Sequence, residues 1–259
     1  MPDSDPPSDK RISSGAEITY VGHSSVLVAM DGVVLLTDPL FRRWVAHLWR
    51  VVPPVRELPE PDAVLVSHQH GDHLDARSLL QLGRGIRLVA PPGAAQYLVR
   101  RGFGDVTEVR PGDELAVGPV TVRATYADHA GSSAGGRPGL AVGYLLEGAR
   151  RVYFAGDTDV FPEMAELGPI DVALLPIWGW GPSLGPGHLD PASAARAGGL
   201  LSARVVVPIH WGTYAPAHVL VRSRPAYLDD PPGLFREEVA ATAPDAEVHV
   251  LAPGESTRI

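Results

Sequence analysis

The run His68-Gln69-His70-Gly71-Asp72-His73 places three imidazoles and one carboxylate within a single turn's length of chain. Imidazole nitrogen and carboxylate oxygen are donors that zinc, manganese and iron accept. Strand-like residues precede the run and helical spacing begins at Leu74, so the cluster lies in a strand-to-helix turn. A turn converges side chains that an extended strand would send to opposite faces. His68 and His70, at i and i+2, can clasp one metal, and Asp72 and His73, on the next bend, can face a second. Gly71 allows the tight backbone approach. The chain has no cysteine, which excludes thiolate ligands, disulfides and cysteine nucleophiles.

Each ion needs three or four ligands, so the remainder must come from elsewhere. His129, Asp157 and His210 each stand just past a predicted strand, and a strand end is a rigid place from which to aim a ligand. Ligand-type residues at four separate strand ends are hard to obtain by chance. Asp157 has a second reading, as the cap of a helix beginning near Asp159. Asp38 either starts a turn with Pro39 or orients a liganding imidazole through its free N–H. His188 follows the Pro/Gly-rich loop Gly179–Gly187, where a substrate-facing role competes with an idle surface one. Trp178 and Trp180 flank that loop as pocket lining or as packing. Trp44 and Trp49 read as an apolar lip or as helix packing. His47, His218 and His249 have no supporting context.

The elements that must position these residues alternate in a regular way. Glu17–Val21, Ser25–Met30 and Val33–Thr37 are short β-branched runs, with Asp31-Gly32 as a hairpin signal. Leu40–Val52 is a less regular apolar stretch, and Ala63–Ser67 is a buried strand that delivers the histidine run. Helical spacing is expected over Asp75–Leu82 and Gly93–Arg101, with a strand at Arg87–Ala90 between them. The second half repeats the plan: a hairpin of Leu115–Val117 and Val120–Tyr126, then paired strands Leu140–Leu146 and Arg151–Ala155. A helix is expected at Val160–Leu167 and a strand at Val172–Leu175. After these come a helix at Pro191–Leu201, a strand at Arg204–Pro208, a helix at Pro232–Ala241 and a strand at Glu247–Leu251. Hairpins followed by βα units, given twice, predict an α/β chain folded as a four-layer αββα sandwich. Residues 16–259 are expected to form a single domain, because no low-complexity linker interrupts them.

Composition narrows the partners. The apolar fraction of 45% and charged fraction of 20% are those of a folded soluble protein. A formal charge of −8 disfavours broad contact with nucleic acid. Residues 1–15, rich in Pro, Ser and Asp without an apolar core, read as a disordered lead-in and not as a signal peptide. No apolar run approaches the roughly 20 residues that span a bilayer, so no transmembrane segment is expected and the cytoplasm is the default location. Homo-oligomerisation stays open.

The histidine run, followed by His129, Gly156-Asp157-Thr158 and His210, resembles the metallo-β-lactamase superfamily in motif and ligand order. The resemblance implies one metal held by His68, His70 and His129. It implies a second held by Asp72, His73 and His210, with Asp157 bridging the two. Tyr20-Val21-Gly22-His23-Ser24-Ser25, Leu36-Thr37-Asp38-Pro39, Phe154–Thr158 and Ile209–Thr213 resemble a narrower branch. That branch contains N-acyl phosphatidylethanolamine phospholipase D and the L-ascorbate-6-phosphate lactonases. Within that branch His23 follows a strand near the site, although a plain turn residue is an equal reading. Pro186-Gly187-His188-Leu189-Asp190-Pro191 is similar to the phospholipase segment that places a histidine beside the substrate. The chain departs from the phospholipase in lacking its longer N-terminal region and in its short, glycine-rich 129–140 loop.

The expected chemistry is hydrolysis with two divalent ions, zinc as first choice and manganese or iron as alternatives. Two such ions about 3.5–4 Å apart lower the pKa of a bridging water and supply hydroxide near neutral pH. Asp72, as a ligand of the second metal, and His188, as a contact to phosphate or leaving group, are the catalytic candidates. The expected substrate is a small or lipid-like phosphodiester, with a lactone as the alternative. Readings from other classes are an iron-dependent oxidoreductase and a metal-binding protein without turnover.

Overall fold

Strict alternation of side chains organises the strands of the computed structural model, which describes residues 14–55, 57–129, 131–132, 138–178, 185–217 and 228–259. In β1 (Ala16–Gly22), β2 (Ser25–Met30) and β3 (Val33–Thr37), Ile18, Tyr20, Val28 and Leu35 point to one face. Val21, Leu27, Val34 and Leu36 point to the other. Both faces are buried, as a period of two demands when each is covered by another layer.

The first sheet has seven strands in the order β19-β1-β2-β3-β6-β7-β8, with β6 (Ala63–Leu65), β7 (Leu88–Ala90), β8 (Val106–Glu108) and β19 (Ser256–Arg258). The strands from β19 to β3 are antiparallel, and those from β3 to β8 are parallel. The second sheet also has seven strands, in the order β18-β16-β15-β14-β13-β10-β9. These are β9 (Glu114–Val117), β10 (Val120–Tyr126), β13 (Val142–Glu147), β14 (Arg151–Phe154), β15 (Val172–Pro176), β16 (Val205–Ile209) and β18 (Glu247–Val248). It too passes from an antiparallel half to a parallel half.

One apolar cluster joins the inner faces of the two sheets, with Tyr20, Val28 and Leu65 from the first meeting Tyr144, Phe154 and Val207 from the second. A second cluster packs α1 (Ala76–Gln81) and α2 (Ala94–Arg100) on the outside of the first sheet, through Leu79, Ala94 and Leu98. A third packs α3 (Pro191–Leu200) and α4 (Pro231–Thr242) on the outside of the second, through Ala194, Ala197, Phe235 and Val239. The four-layer αββα order is therefore present. The helix starts follow capping chemistry. Asp75 accepts from the Ser78 N–H, and Asp190 and Ser193 form a capping box ahead of Pro191.

Three expectations are corrected. Val160–Leu167 contains only a short 3-10 turn, Pro162–Glu166, because Pro162 starts it and a tight i to i+3 ladder suffices for one turn. The irregular stretch Leu40–Val52 folds into a hairpin of β4 (Trp44–Val45) and β5 (Leu48–Arg50), joined antiparallel to β17 (Tyr214–Pro216). Trp44 and Trp49 pair across it and are exposed, which removes the helix-packing reading. At Glu247–Leu251 the strand covers only Glu247–Val248. A short ladder of β11 (Gly131–Ser132) and β12 (Pro138–Gly139) follows His129. Among the described residues no helix is long and apolar enough to cross a membrane. Trp180, His218 and nearly all of the 1–15 segment lie outside the described residues.

Candidate metal centre

One edge of the two sheets collects the strand ends that matter. β1 runs into His23, β3 into Asp38, β6 into Ser67-His68, β10 into His129, β14 into Asp157 and β16 into His210. His23, Asp38 and His210 adopt φ of 58°, 33° and 62°. That left-handed region is costly for any residue but glycine and persists only where surrounding contacts fix it.

The donors converge in two groups of four: His68, His70, His129 and Asp157, then His23, Asp72, His73 and His210. Within each group the ligand atoms lie within 4.8 Å of one another. In the first, His70 Nδ1 is 2.9 Å from His68 Nε2 and 3.2 Å from His129 Nε2. In the second, His73 Nε2 is 3.3 Å from His210 Nε2 and 3.6 Å from Asp72 Oδ2. Nitrogens around a tetrahedral zinc sit about 3.4 Å apart along an edge, given bonds of about 2.1 Å. The spacing fits cations. Asp157 lies between the groups, with Oδ2 at 3.2 Å from His73 Nε2 and 3.9 Å from His68 Nε2, and Oδ1 at 3.5 Å from His210 Nε2. It caps no helix, since the 3-10 turn begins after Phe161.

Protons on the opposite ring nitrogens explain why these Nε2 atoms are available as donors. His73 Nδ1–H donates to Asp38 Oδ2 at 2.8 Å, and His129 Nδ1–H donates to the Gly187 carbonyl at 2.8 Å. His210 Nδ1–H donates to the Trp178 carbonyl. His68 Nδ1–H donates to Ser67 Oγ at 2.9 Å, and the Ser67 hydroxyl donates to Asp38 Oδ2 at 2.6 Å. Each tautomer is assigned from its acceptor; in His68, His129 and His210 this leaves a lone pair on Nε2, and in His73 a metal would displace the Nε2 proton that Asp157 and Asp72 favour. Asp38 thus orients an imidazole and does more than begin a turn. Ser67 and the carbonyls of Trp178 and Gly187 were missed by sequence reasoning. A main-chain carbonyl has no sequence signature, and Ser67 had only its place beside His68.

The electrostatics agree with this division. Burial pushes His68 well below its ordinary value, with His73 adding to the effect, so it is neutral and ready to ligate. His70 and His129 are also pushed down, mainly by burial. Burial opposes the charge on His73 as well, but Asp157 and Asp72 outweigh it and hold the ring well above 6.5. Asp72 and Asp157 are held below the carboxylate range; burial acts against this and the surrounding imidazoles overcome it.

His188 stands at the first group, its Nε2 3.8 Å from Asp157 Oδ2 and its ring 4.7 Å from that of His129. Its Nδ1 has no hydrogen-bond partner among the described residues, unlike the anchored rings around it. Trp178 is buried in the outer apolar cluster, which assigns its ring to packing.

The β-lactamase superfamily domain matches residues 34–211 of this chain. A UPF0173 metal-dependent hydrolase of Nitratidesulfovibrio vulgaris is 34% identical over 256 residues, covering 92% of this chain and 93% of its own. The chain belongs to this family of metal-dependent hydrolases within the β-lactamase superfamily. N-acyl-phosphatidylethanolamine-hydrolyzing phospholipase D 1 of Caenorhabditis elegans is 33% identical over 236 residues, 80% of this chain and 66% of its own length. Among solved structures, Igni18, a metallo hydrolase of Ignicoccus hospitalis, superposes with a TM-score of 0.71 at 26% identity, over 95% of this chain and 99% of its own. The metallo-β-lactamase fold and the metal-dependent hydrolase class are thus established for the family, and the two donor groups supply what that class requires.

Proposed function

We propose that the chain hydrolyses a phosphodiester, small or lipid-like, with two divalent ions, zinc as first choice and manganese or iron as alternatives. His68, His70 and His129 would hold one ion and Asp72, His73 and His210 the other, with Asp157, which lies between the two groups, shared by both. Bound ions of this kind supply Lewis acidity and lower the pKa of water between them. The anchored Nδ1 atoms keep the imidazole donors aimed, so little reorganisation is needed when charge develops at the ester. Residues 16–259 act as one domain in this reading.

His188 carries the reading. It sits beside Asp157, is 23% exposed, and lacks the Nδ1 anchor that His68, His73, His129 and His210 possess. An imidazole so placed suits a contact to a phosphoryl oxygen and delivery of a proton from Nε2 to the departing alkoxide. Water supplies the oxygen that bonds to phosphorus while the phosphorus–alkoxide bond breaks; that water loses one proton to solvent, and solvent restores the proton that His188 gave to the alkoxide. The similarity to a phospholipase that hydrolyses N-acyl-phosphatidylethanolamine supports an ester of this type. The formal charge of −8 supports a small or lipid-like ester over nucleic acid.

Metal-loaded protein offered bis(p-nitrophenyl) phosphate and a simple lactone tests the proposal. Turnover of the phosphodiester is expected. Turnover of the lactone alone would replace the phosphodiester reading with a lactonase. Failure on both by fully loaded protein would leave a metal-binding protein without turnover on these esters. Elemental analysis of the purified chain separates zinc from manganese and iron.

A further inference from the structure

Four imidazoles of the centre are anchored through Nδ1, but the Asp72 carboxylate has a different kind of support. It lies in the turn after Gly71, nearer the surface than His73, and its side chain is 17% exposed. Among the described residues a single hydrogen bond reaches it, from His23 Nε2 to Asp72 Oδ2 at 3.2 Å. Oδ2 is also the oxygen that faces His73 and His210, at 3.6 and 3.9 Å. The ionised carboxylate only accepts, so His23 Nε2 carries the proton.

His23 is held for this task from several sides. Its φ of 58° is a conformation that a non-glycine residue keeps only under constraint. Its backbone N–H donates to Thr213 Oγ1 at 2.8 Å, and its carbonyl accepts from the His210 N–H at 2.8 Å. The ring is 1% exposed, leans on the His210 ring at 3.9 Å between centroids, and meets Tyr214 edge-on at 5.8 Å. One residue therefore touches two donors of the second group, Asp72 through its side chain and His210 through its main chain.

We infer that His23 is a positioning residue for the second metal: its Nε2–H presets Asp72 Oδ2 to receive the cation. His23 is to Asp72 what Asp38 is to His73, with donor and acceptor exchanged. Without it the carboxylate is a free rotor in a partly exposed turn, and ordering it on metal binding costs affinity. The inference rests on the reading of Asp72 as a ligand, and the experiment separates the two.

Metal-free wild type, Asp72→Asn, His23→Phe and His23→Gln are titrated with Co2+, followed by its visible absorption and by bound-metal stoichiometry. Wild type should take up two ions. Asp72→Asn and His23→Phe should each weaken one of them, the His23→Phe loss being about 10–100-fold, with the other ion unaffected. His23→Gln, whose amide N–H can replace the imidazole donor, should stay close to wild type. Should metal-free His23→Phe not melt cooperatively, His23→Met, of similar reach and without an N–H, takes its place. If His23→Phe binds both ions as wild type does while Asp72→Asn loses one, the inference is overturned. Equal losses in His23→Phe and His23→Gln overturn it in favour of direct ligation by His23. An Asp72→Asn variant that binds like wild type removes instead the reading of Asp72 as a ligand.

Discussion

Asp38 Oδ2 accepts from His73 Nδ1 at 2.8 Å and from the Ser67 hydroxyl at 2.6 Å, and Ser67 in turn holds His68 Nδ1. Asp38 Oδ1 accepts the Ser67 backbone N–H at 2.7 Å, so both carboxylate oxygens are committed. A single buried carboxylate thus orients one imidazole from each donor group. In Asp38→Asn one oxygen becomes a donor that must face another donor, whichever way the amide turns. The expected result is a loss of about 10–100-fold in affinity for both ions, with about 1–3 kcal/mol of stability lost in the metal-free form. Competition against a chromophoric chelator measures the affinities. Weakening of only one ion would show that Asp38 serves one group.

The charge pattern predicts a pH dependence for metal-free protein. His73 is held above its unfolded value of 6.5: burial opposes its charge, and Asp157 and Asp72 prevail. A raised value contributes stability in full below pH 6.5, and that stability is lost as pH rises through the folded value. Asp72 and Asp157 are held below 3.8 against the effect of burial, by His73 and His23 for Asp72 and by His210 and His73 for Asp157. Their contribution is present above the unfolded value and lost as pH falls through the folded ones. Burial holds His23, His68, His70 and His129 below 6.5, so the unfolded chain binds those protons first and stability also falls as pH drops below 6.5. Chelated protein should therefore melt highest at about pH 6.5, lower on the acid side, and progressively lower above it as His73 loses its proton. Saturating divalent ion should abolish the alkaline decline by replacing the His73 proton. At a free ion concentration about a thousand times Kd, each ion adds about 4 kcal/mol. A melting temperature of chelated protein that rises steadily from pH 6.5 to the alkaline range would contradict this.

Gly156 shows how tightly the two halves meet. Its φ is +62°, and a Cβ there would lie 2.8 Å from Ser67 Cβ and 3.1 Å from the Val142 carbonyl. Gly156→Ala should cost about 1–3 kcal/mol from overpacking, besides the backbone strain. It should also weaken metal binding, because Ser67 holds His68 on one side and Asp157 follows on the other. Gly32→Ala is the control: φ is +78° there and nothing lies within 4 Å of the added methyl. Chemical denaturation of both variants isolates the contact from the strain. Equal losses would mean that the close approach to Ser67 contributes nothing.

Much of this architecture was legible because alternation and strand-end residue types are local signals. Val26 and Val28 face the inner core and Leu27 the outer, as a period of two requires. His129, Asp157 and His210 were visible as polar residues that end apolar runs. Asp38 and His23 stayed ambiguous, since their partners are 35 and 49 residues away and the pairing exists only after the sheets assemble. Leu40–Val52 resisted for a different reason. Its strands have two and three residues, too few for any periodicity to register. At Val160–Leu167 the apolar spacing suited a helix, but Pro162 and the short span left room for one tight turn.

His188 provides the sharpest test of the catalytic proposal. Its Nε2 faces Asp157 at 3.8 Å, and no described residue holds its Nδ1. If it donates a proton to the leaving oxygen, His188→Ala should lower kcat about 10²–10⁴-fold on esters with poorly departing alcohols. The loss should shrink for p-nitrophenyl esters, whose leaving group needs little protonation. If His188 only binds phosphate, KM should rise with kcat preserved and the leaving group should make no difference. Neither result should alter metal stoichiometry, because His188 belongs to neither group of four converging donors. A His188→Ala variant that loses an ion would reassign the residue as a ligand. One that turns over every ester with unchanged kcat and KM would remove it from the mechanism.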